Sequence, residues 1–318
     1  MSQVKVYSNY RDDAELVLYN GNCLDLLKQI PDGKIKLIVT SPPYNLGKEY
    51  EKKINIPEYL HQQSQVISEC HRILHPQGSI CWQVGNYVDN GEIIPLDVKL
   101  FPFFEDLGMK MRNRIIWHFG HGLHASKRFS GRYEVIIWFT KNDDYTFNLD
   151  SIRVPQKYPN KKHFKGPNRG ELSGNPLGKN PSDVWDIPNV KANHIEKTEH
   201  PCQFPVELIE RLVLSLTNER DCVLDPFMGT GTTAIAALLH KRKAIGAEIV
   251  NRYIDIAKKR IELAEKGKLQ IRPMDRPVYD PKSRNQHIPP KLIRIGGDGI
   301  QRKLLESRKR FIVGREKR

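Results

Sequence analysis

Apolar positions fall into short blocks divided by turn residues, and the blocks alternate between a strand period and a helix period. Residues 15–19 read as a strand closed by Asn20, Gly21 and Asn22. Residues 23–30 have helical spacing and stop at Pro31, Asp32 and Gly33. Residues 34–40 are mostly apolar, the pattern of a strand covered on both faces. Across 57–74, Leu60, Val66, Ile67, Cys70 and Leu74 share one helical face, which ends at Pro76-Gln77-Gly78. Further strands are predicted at 79–84, 114–119 and 133–140. Past residue 200 the order is helix 205–216, strand 222–224, helix 232–240, strand 243–247 and helix 251–265. Such alternation predicts an α/β fold with a largely parallel sheet. Ligands of these sheets sit outside the carboxyl ends of the strands.

Between 144 and 200 the periodicity fails. Pro155, Pro159, Gly166, Pro167, Gly170, Gly174, Pro176, Gly178 and Pro181 crowd a stretch rich in Lys and Asn. A long irregular segment in a compact domain is usually functional or disordered. The chain thus divides into residues 1–143, an insertion at 144–200, a second α/β portion at 201–267 and a tail at 268–318.

Charge adds a partner. The 318 residues carry a formal net charge of +14, which suggests a polyanion. The tail holds 15 Lys and Arg against 5 Asp and Glu, so ten of those fourteen charges lie there. It reads either as a solvated extension or as an arm along phosphates. There is no apolar run long enough to span a membrane and no signal-like start, so a cytoplasmic protein is expected. Cys23, Cys70, Cys81, Cys202 and Cys222 are scattered, which fits reduced thiols and neither disulfides nor a metal site.

Two segments carry candidate chemistry. In Asp225-Pro226-Phe227-Met228-Gly229-Thr230-Gly231-Thr232-Thr233, between a predicted strand and helix, the glycines permit a tight turn and close backbone approach. Amides opening the next helix can hold an anionic group. Glu248 ends the following strand 17 residues beyond Gly231, where a carboxylate can accept both hydroxyls of a ribose. This half alone leaves a dehydrogenase open, since Ala234 stands where the dinucleotide pattern takes Gly or Ala. The other segment, Ser41-Pro42-Pro43-Tyr44, follows the strand at 34–40. The Ser41 oxygen and Pro42 carbonyl are acceptors for an amine, the prolines stiffen the turn, and Tyr44 offers a flat face for a ring. A proline turn without function is the simpler account of that tetrapeptide in isolation.

Together, and in this order, the segments resemble the S-adenosylmethionine-dependent DNA amino-methyltransferases of the permuted group called beta, over residues 15–265. The resemblance implies a Rossmann-like doubly wound methyltransferase sheet, mostly parallel with one antiparallel strand and circularly permuted, its catalytic half preceding its cofactor half. It makes Ser41, Pro42, Pro43 and Tyr44 catalytic, and assigns the cofactor Asp225, Pro226, Phe227, Gly229, Gly231, Thr232, Thr233 and Glu248. His200, Gln203 and Pro205 resemble the segment around the methionine part of the cofactor, with Ser41 also in reach. Asn22 and Cys23 resemble the adenine contact, although many relatives have Asp at the position of Asn22. Pro201-Cys202-Gln203 spells the nucleophile motif of carbon-5 cytosine methyltransferases, but it precedes the glycine turn, so Cys202 is read as part of a helix start.

The target amine is paired inside a duplex, so the base must be flipped out. In the family it resembles, Ser heads the tetrapeptide more commonly in cytosine-N4 enzymes and Asp or Asn in adenine-N6 enzymes, so the resemblance implies cytosine N4 ahead of adenine N6. A catalytically inactive nucleic-acid-binding homologue is a competing reading, as is an RNA or protein amine. The insertion is the candidate target-recognition region through Lys161, Lys162, Lys165 and Arg169, with Lys48, Lys127, Arg128 and Arg132 as further DNA contacts. Double-stranded DNA is the expected partner, with a cognate restriction endonuclease beside it, and the chain is expected as a monomer or homodimer.

Overall fold

The computed structural model describes residues 4–49, 51–120, 122, 124–274, 276 and 291–293. The strands are β1 (Val6–Tyr7), β2 (Leu16–Asn20), β3 (Ile35–Thr40), β4 (Leu74–Val84), β5 (Asn86–Asp89) and β6 (Glu92–Pro95). They continue as β7 (Lys110–His118), β8 (Tyr133–Thr140), β9 (Val184–Asp186), β10 (Cys222–Asp225), β11 (Lys243–Glu248), β12 (Leu269–Ile271) and β13 (Lys291–Ile293). Helices are α1 (Cys23–Leu27), α2 (Ile56–Ile73), α3 (Leu96–Asp106), α4 (Val206–Leu216), α5 (Thr232–Leu239) and α6 (Asn251–Glu265).

Among the described residues nine strands form one sheet, ordered β1-β2-β11-β10-β3-β4-β8-β7-β9. Every pairing in it is parallel except the two that β8 makes, with β4 and with β7, so β8 is its single antiparallel strand. The mixed, mostly parallel sheet agrees with the expected fold class. Side chains alternate along each strand between two cores. Leu37 and Val39 face α4, α5 and α6, while Ile35 and Ile38 face α1, α2 and α3. Lys36 is buried within β3 because its stem lies along apolar surface while Nζ reaches Gln77 Oε1 at 3.3 Å.

The central pairing matters most for function. β3 and β10 are neighbours, with Leu37 opposite Val223 and Ile38 opposite Leu224. Ser41 and Pro226, far apart in sequence, therefore leave the sheet side by side. On the other flank of β10, β11 pairs with β2, and Gly21 N donates to Glu248 O at 3.0 Å.

Three departures from the sequence reading have physical causes. Helix α3 contains Pro102, which masks the helical spacing of Leu96, Leu100 and Phe104. Pro102 lies on the exposed side, as does Val98, whose carbonyl forgoes its bond. Secondly, the segment 144–200 is not one insertion. Trp185, Ile187 and Val190 are buried and β9 extends the sheet, leaving an exposed arm at about 155–178 held by antiparallel bridges Val154–Lys179 and Lys162–Leu172. Thirdly, the start of the predicted tail is core: Leu269, Ile271 and Met274 are buried, and Arg272 forms a buried ion pair with Glu207 of α4. Residues 277–290 and 294–318, which hold most of the tail, lie outside the described residues. No described helix is long and apolar enough to cross a membrane.

Candidate active site

A cavity of about 680 Å³ opens at the carboxyl ends of β2, β3, β10 and β11. Its wall contains Ser41, Pro42, Pro43 and Tyr44 from the loop after β3, and Pro226, Phe227, Gly229 and Thr232 from the glycine turn. Asn22, Cys23, His200, Gln203 and Glu248 border it too. Sequence positions read as two separate chemistries therefore share one space.

Asp225, Gly231, Thr233 and Pro205 do not line that wall. Asp225 is buried beneath it: Thr40 Oγ1 donates to Oδ1 at 2.5 Å, Phe227 N to Oδ1 at 3.1 Å, and Thr233 Oγ1 to Oδ2 at 2.6 Å. Expected as a ligand contact, this carboxylate instead ties the residue before Ser41 to the glycine turn. Burial pushes its carboxyl up to about 6, against the three hydrogen bonds it accepts. A folded pKa above the unfolded value of 3.8 means the native state binds the extra proton between those limits. Relative to Asp225→Asn, the wild type is thus expected to gain about 1 kcal/mol between pH 7 and pH 5, measurable by urea unfolding. An unchanged difference between the two pH values would contradict a raised carboxyl.

The glycine turn is built from left-handed residues, Gly229 at φ 53° and Gly231 at φ 76°. Gly229 N donates to Glu248 Oε2 at 2.9 Å and Val250 N to Oε1 at 2.8 Å, so the acid is fixed against the turn. Burial raises the Glu248 carboxyl, and these amide bonds oppose that shift. A carboxylate has about four acceptor directions, which leaves two for a diol. His200 stands over Gly229, its ring 4.4 Å from that of Tyr253, and burial with nearby Lys197 pulls it down to about 4. It is neutral at pH 7. The Gln203 carboxamide is committed to Thr198 Oγ1 and Glu196 O, so it shapes the loop. Asn22 Oδ1 caps α1 by accepting from Leu24 N at 3.0 Å.

On the other side, Tyr59 of α2 donates to the Pro43 carbonyl at 2.9 Å. Asn45, at φ 61°, exchanges two hydrogen bonds with Ile54 and closes the loop 45–54. Cys202 borders the cavity, while the nearby His200 Nδ1 accepts from its backbone amide at 3.1 Å.

Several residues at this site carried no sequence signal. Arg260 of α6 is buried and donates to Thr230 O, Thr230 Oγ1 and Thr232 Oγ1, which steadies the glycine turn from behind. In sequence it is one of a run of three cations on a helix. Gln63 is buried, borders the cavity, and its Oε1 has no hydrogen-bond partner among the described residues. Trp117 is core, its Nε1 donating to Ile187 O at 2.8 Å, whereas Phe129 is fully exposed.

The proposed DNA contacts separate into two groups. Lys48 is exposed on the loop after β3, and Lys127 and Arg128 on the loop from β7 to β8. Arg132 on that loop is half-buried, with its guanidinium against Gly131 O and His124. Both loops leave the edge of the sheet that holds the cavity. Lys161, Lys162, Lys165 and Arg169 are exposed on the arm, whose root packs beside Leu214 at the opposite end.

The DNA methylase family, the N6/N4 methyltransferases, matches residues 35–259, which span both halves of this cavity. The chain belongs to the S-adenosylmethionine-dependent DNA methylases of the N6/N4 type. Type II methyltransferase M.BglII of Bacillus subtilis is 57% identical to this methylase over 241 residues, covering 76% of this chain and 67% of that protein. DNA adenine methyltransferase YhdJ of Escherichia coli (strain K12) is 33% identical over 263 residues, covering 81% and 86%. Among solved structures, a DNA modification methylase of Thermus thermophilus, complexed with S-adenosyl-L-methionine, superposes with a TM-score of 0.55 at 29% identity, covering 76% and 91%.

Proposed function

We propose that this methylase modifies the exocyclic N4 of cytosine in double-stranded DNA, as the modification half of a restriction–modification pair. The observation that carries the proposal is the single cavity between Ser41 on one wall and Glu248 with the glycine turn on the other. Its volume suits a small-molecule ligand. The Glu248 carboxylate fits a ribose diol, and the buried Gln63 amide fits a polar ring edge. When bound, S-adenosylmethionine supplies a methyl group made electrophilic by a positive sulfur. Glu248, Gly229, Thr232, Phe227, Asn22 and Cys23 are the residues proposed to hold it.

The chain's own contribution is orientation. An exocyclic amine is a weak nucleophile because its lone pair is delocalised into the ring. Ser41 Oγ and the Pro42 carbonyl accept from the two amine protons and pull nitrogen toward a tetrahedral shape, while Tyr44 supports the ring. Those hydrogen bonds strengthen as positive charge develops on nitrogen, which lowers the barrier rather than tightening the ground state. The base reaches this pocket by flipping out of the duplex.

Serine at the head of the tetrapeptide supports cytosine N4. Adenine N6 is the second reading, favoured by the similarity to YhdJ, a DNA adenine methyltransferase. Mass spectrometry of nucleosides from DNA treated with the protein and labelled cofactor separates them. N4-methylcytosine is the expected product, and N6-methyladenine would overturn the choice of base.

The charge of the basic arm supports contacts with phosphates away from the target base, since the arm is rooted at the end of the sheet opposite the cavity. Alanine at Lys161, Lys162, Lys165 and Arg169 together is expected to reduce the slope of log binding constant against log salt by about 3 to 4. An unchanged slope, measured by fluorescence titration, would take the arm off the DNA.

A further inference from the structure

Ser41 Oγ lies 2.9 Å from Tyr44 Oη, and Tyr44 Oη lies 3.3 Å from Glu134 Oε2 at the start of β8. Gln83 Nε2, on neighbouring β4, donates to the same oxygen of Glu134. Gly85 leaves room for the contact, since a Cβ there would stand 3.2 Å from the Tyr44 ring and 3.5 Å from Glu134 Cγ. None of the motif positions read from the sequence includes Glu134 or Gln83.

The direction of this chain of bonds follows from counting protons. A carboxylate only accepts, whereas each hydroxyl has one proton to give. Tyr44 must therefore direct its proton to Glu134, which leaves Tyr44 Oη able only to accept from Ser41. The Ser41 proton is then committed away from the cavity. Its lone pairs remain for the amine. Without an acceptor behind Tyr44, the two hydroxyls can reverse, and Ser41 would present its proton to the amine protons.

We propose that Glu134 is a positioning residue that fixes the Ser41–Tyr44 hydrogen bond in one direction, so that Ser41 meets the target amine as an acceptor. The inference rests on the proposed role of Ser41 toward the amine. Glu134 is half-buried; burial raises its carboxyl, and the bonds from Gln83 and Tyr44 and the charge of Lys191 oppose that rise. The ionised form needed here is the one those three groups favour.

The test is a double-mutant cycle on Glu134→Leu, which removes the acceptor, and Tyr44→Phe, read by single-turnover methyl transfer into duplex DNA. Cofactor and DNA dissociation constants and melting temperatures are measured alongside. Wild-type transfer comes first: its absence would refute the DNA substrate and with it this role for Glu134. Each single variant is expected to slow transfer about ten- to a hundredfold with both dissociation constants within about twofold of wild type. The double variant is expected to be no slower than the worse single variant, because Glu134 acts through Tyr44. Wild-type rates in Glu134→Leu, multiplying losses in the double variant, or rate losses that merely track weakened cofactor or DNA binding would each overturn the proposal. Should Glu134→Leu fail to fold, Tyr44→Phe decides alone, since it keeps the ring and removes only the link; wild-type transfer by it would refute the relay.

Discussion

Ser41→Ala is expected to lower single-turnover methyl transfer about 10²–10³-fold, the usual cost of losing one preorganised hydrogen-bonding group at a reacting centre. Its affinity for S-adenosylmethionine should stay within about twofold of wild type. The residue follows β3 directly, and Thr40 before it is pinned to Asp225 inside the sheet, so backbone geometry should survive the loss of one hydroxyl. The Pro42 carbonyl would remain as a single acceptor for the amine. A variant that transfers methyl at the wild-type rate would remove Ser41 from the chemistry. One that loses cofactor binding in parallel would make its role structural.

Gly231→Ala should be among the most damaging single changes to the cofactor side. Gly231 starts α5 at φ 76°, and a Cβ there would sit 2.9 Å from the Ala257 Cβ and 3.4 Å from its Cα on α6. Neither neighbour can swing aside, because Ala257 is buried and belongs to a helix. Left-handed strain and overpacking together are expected to cost about 2–4 kcal/mol and to displace the turn that carries Gly229. Gly91→Ala is the matched control: its φ of 86° is as unfavourable, but nothing lies within 4 Å of the new Cβ. Chemical denaturation should show the control losing only about 1 kcal/mol. Equal losses at the two positions would mean that the contact with α6 contributes nothing.

What could be read from the sequence is local in character. β3, β8, β10, β11 and α6 appear close to their expected bounds because each has a periodic apolar face and a turn or cap at its end. The two motifs were legible for the same reason, since each is a contiguous string at the end of a strand. Their meeting in one cavity depends on β3 pairing with β10, a contact that no local pattern displays. Asp225 shows the limit well. As part of the glycine motif it reads as a ligand contact, yet burial and three internal donors make it a strut between the two halves. Arg260 and Arg272 resemble surface charge in sequence and are spent inside, on Thr230 and Glu207. Glu134 stood within an apolar strand and had no visible partner until Tyr44 and Gln83 folded against it.

One cavity is proposed to serve donor and target together, and isothermal titration of S-adenosylmethionine into wild type and Glu248→Ala tests this most directly. Removing the carboxylate proposed to accept from the diol is expected to raise Kd about ten- to a hundredfold, with the melting temperature showing that the turn stays folded. Wild-type affinity in a folded Glu248→Ala variant would place the donor elsewhere and contradict the shared cavity.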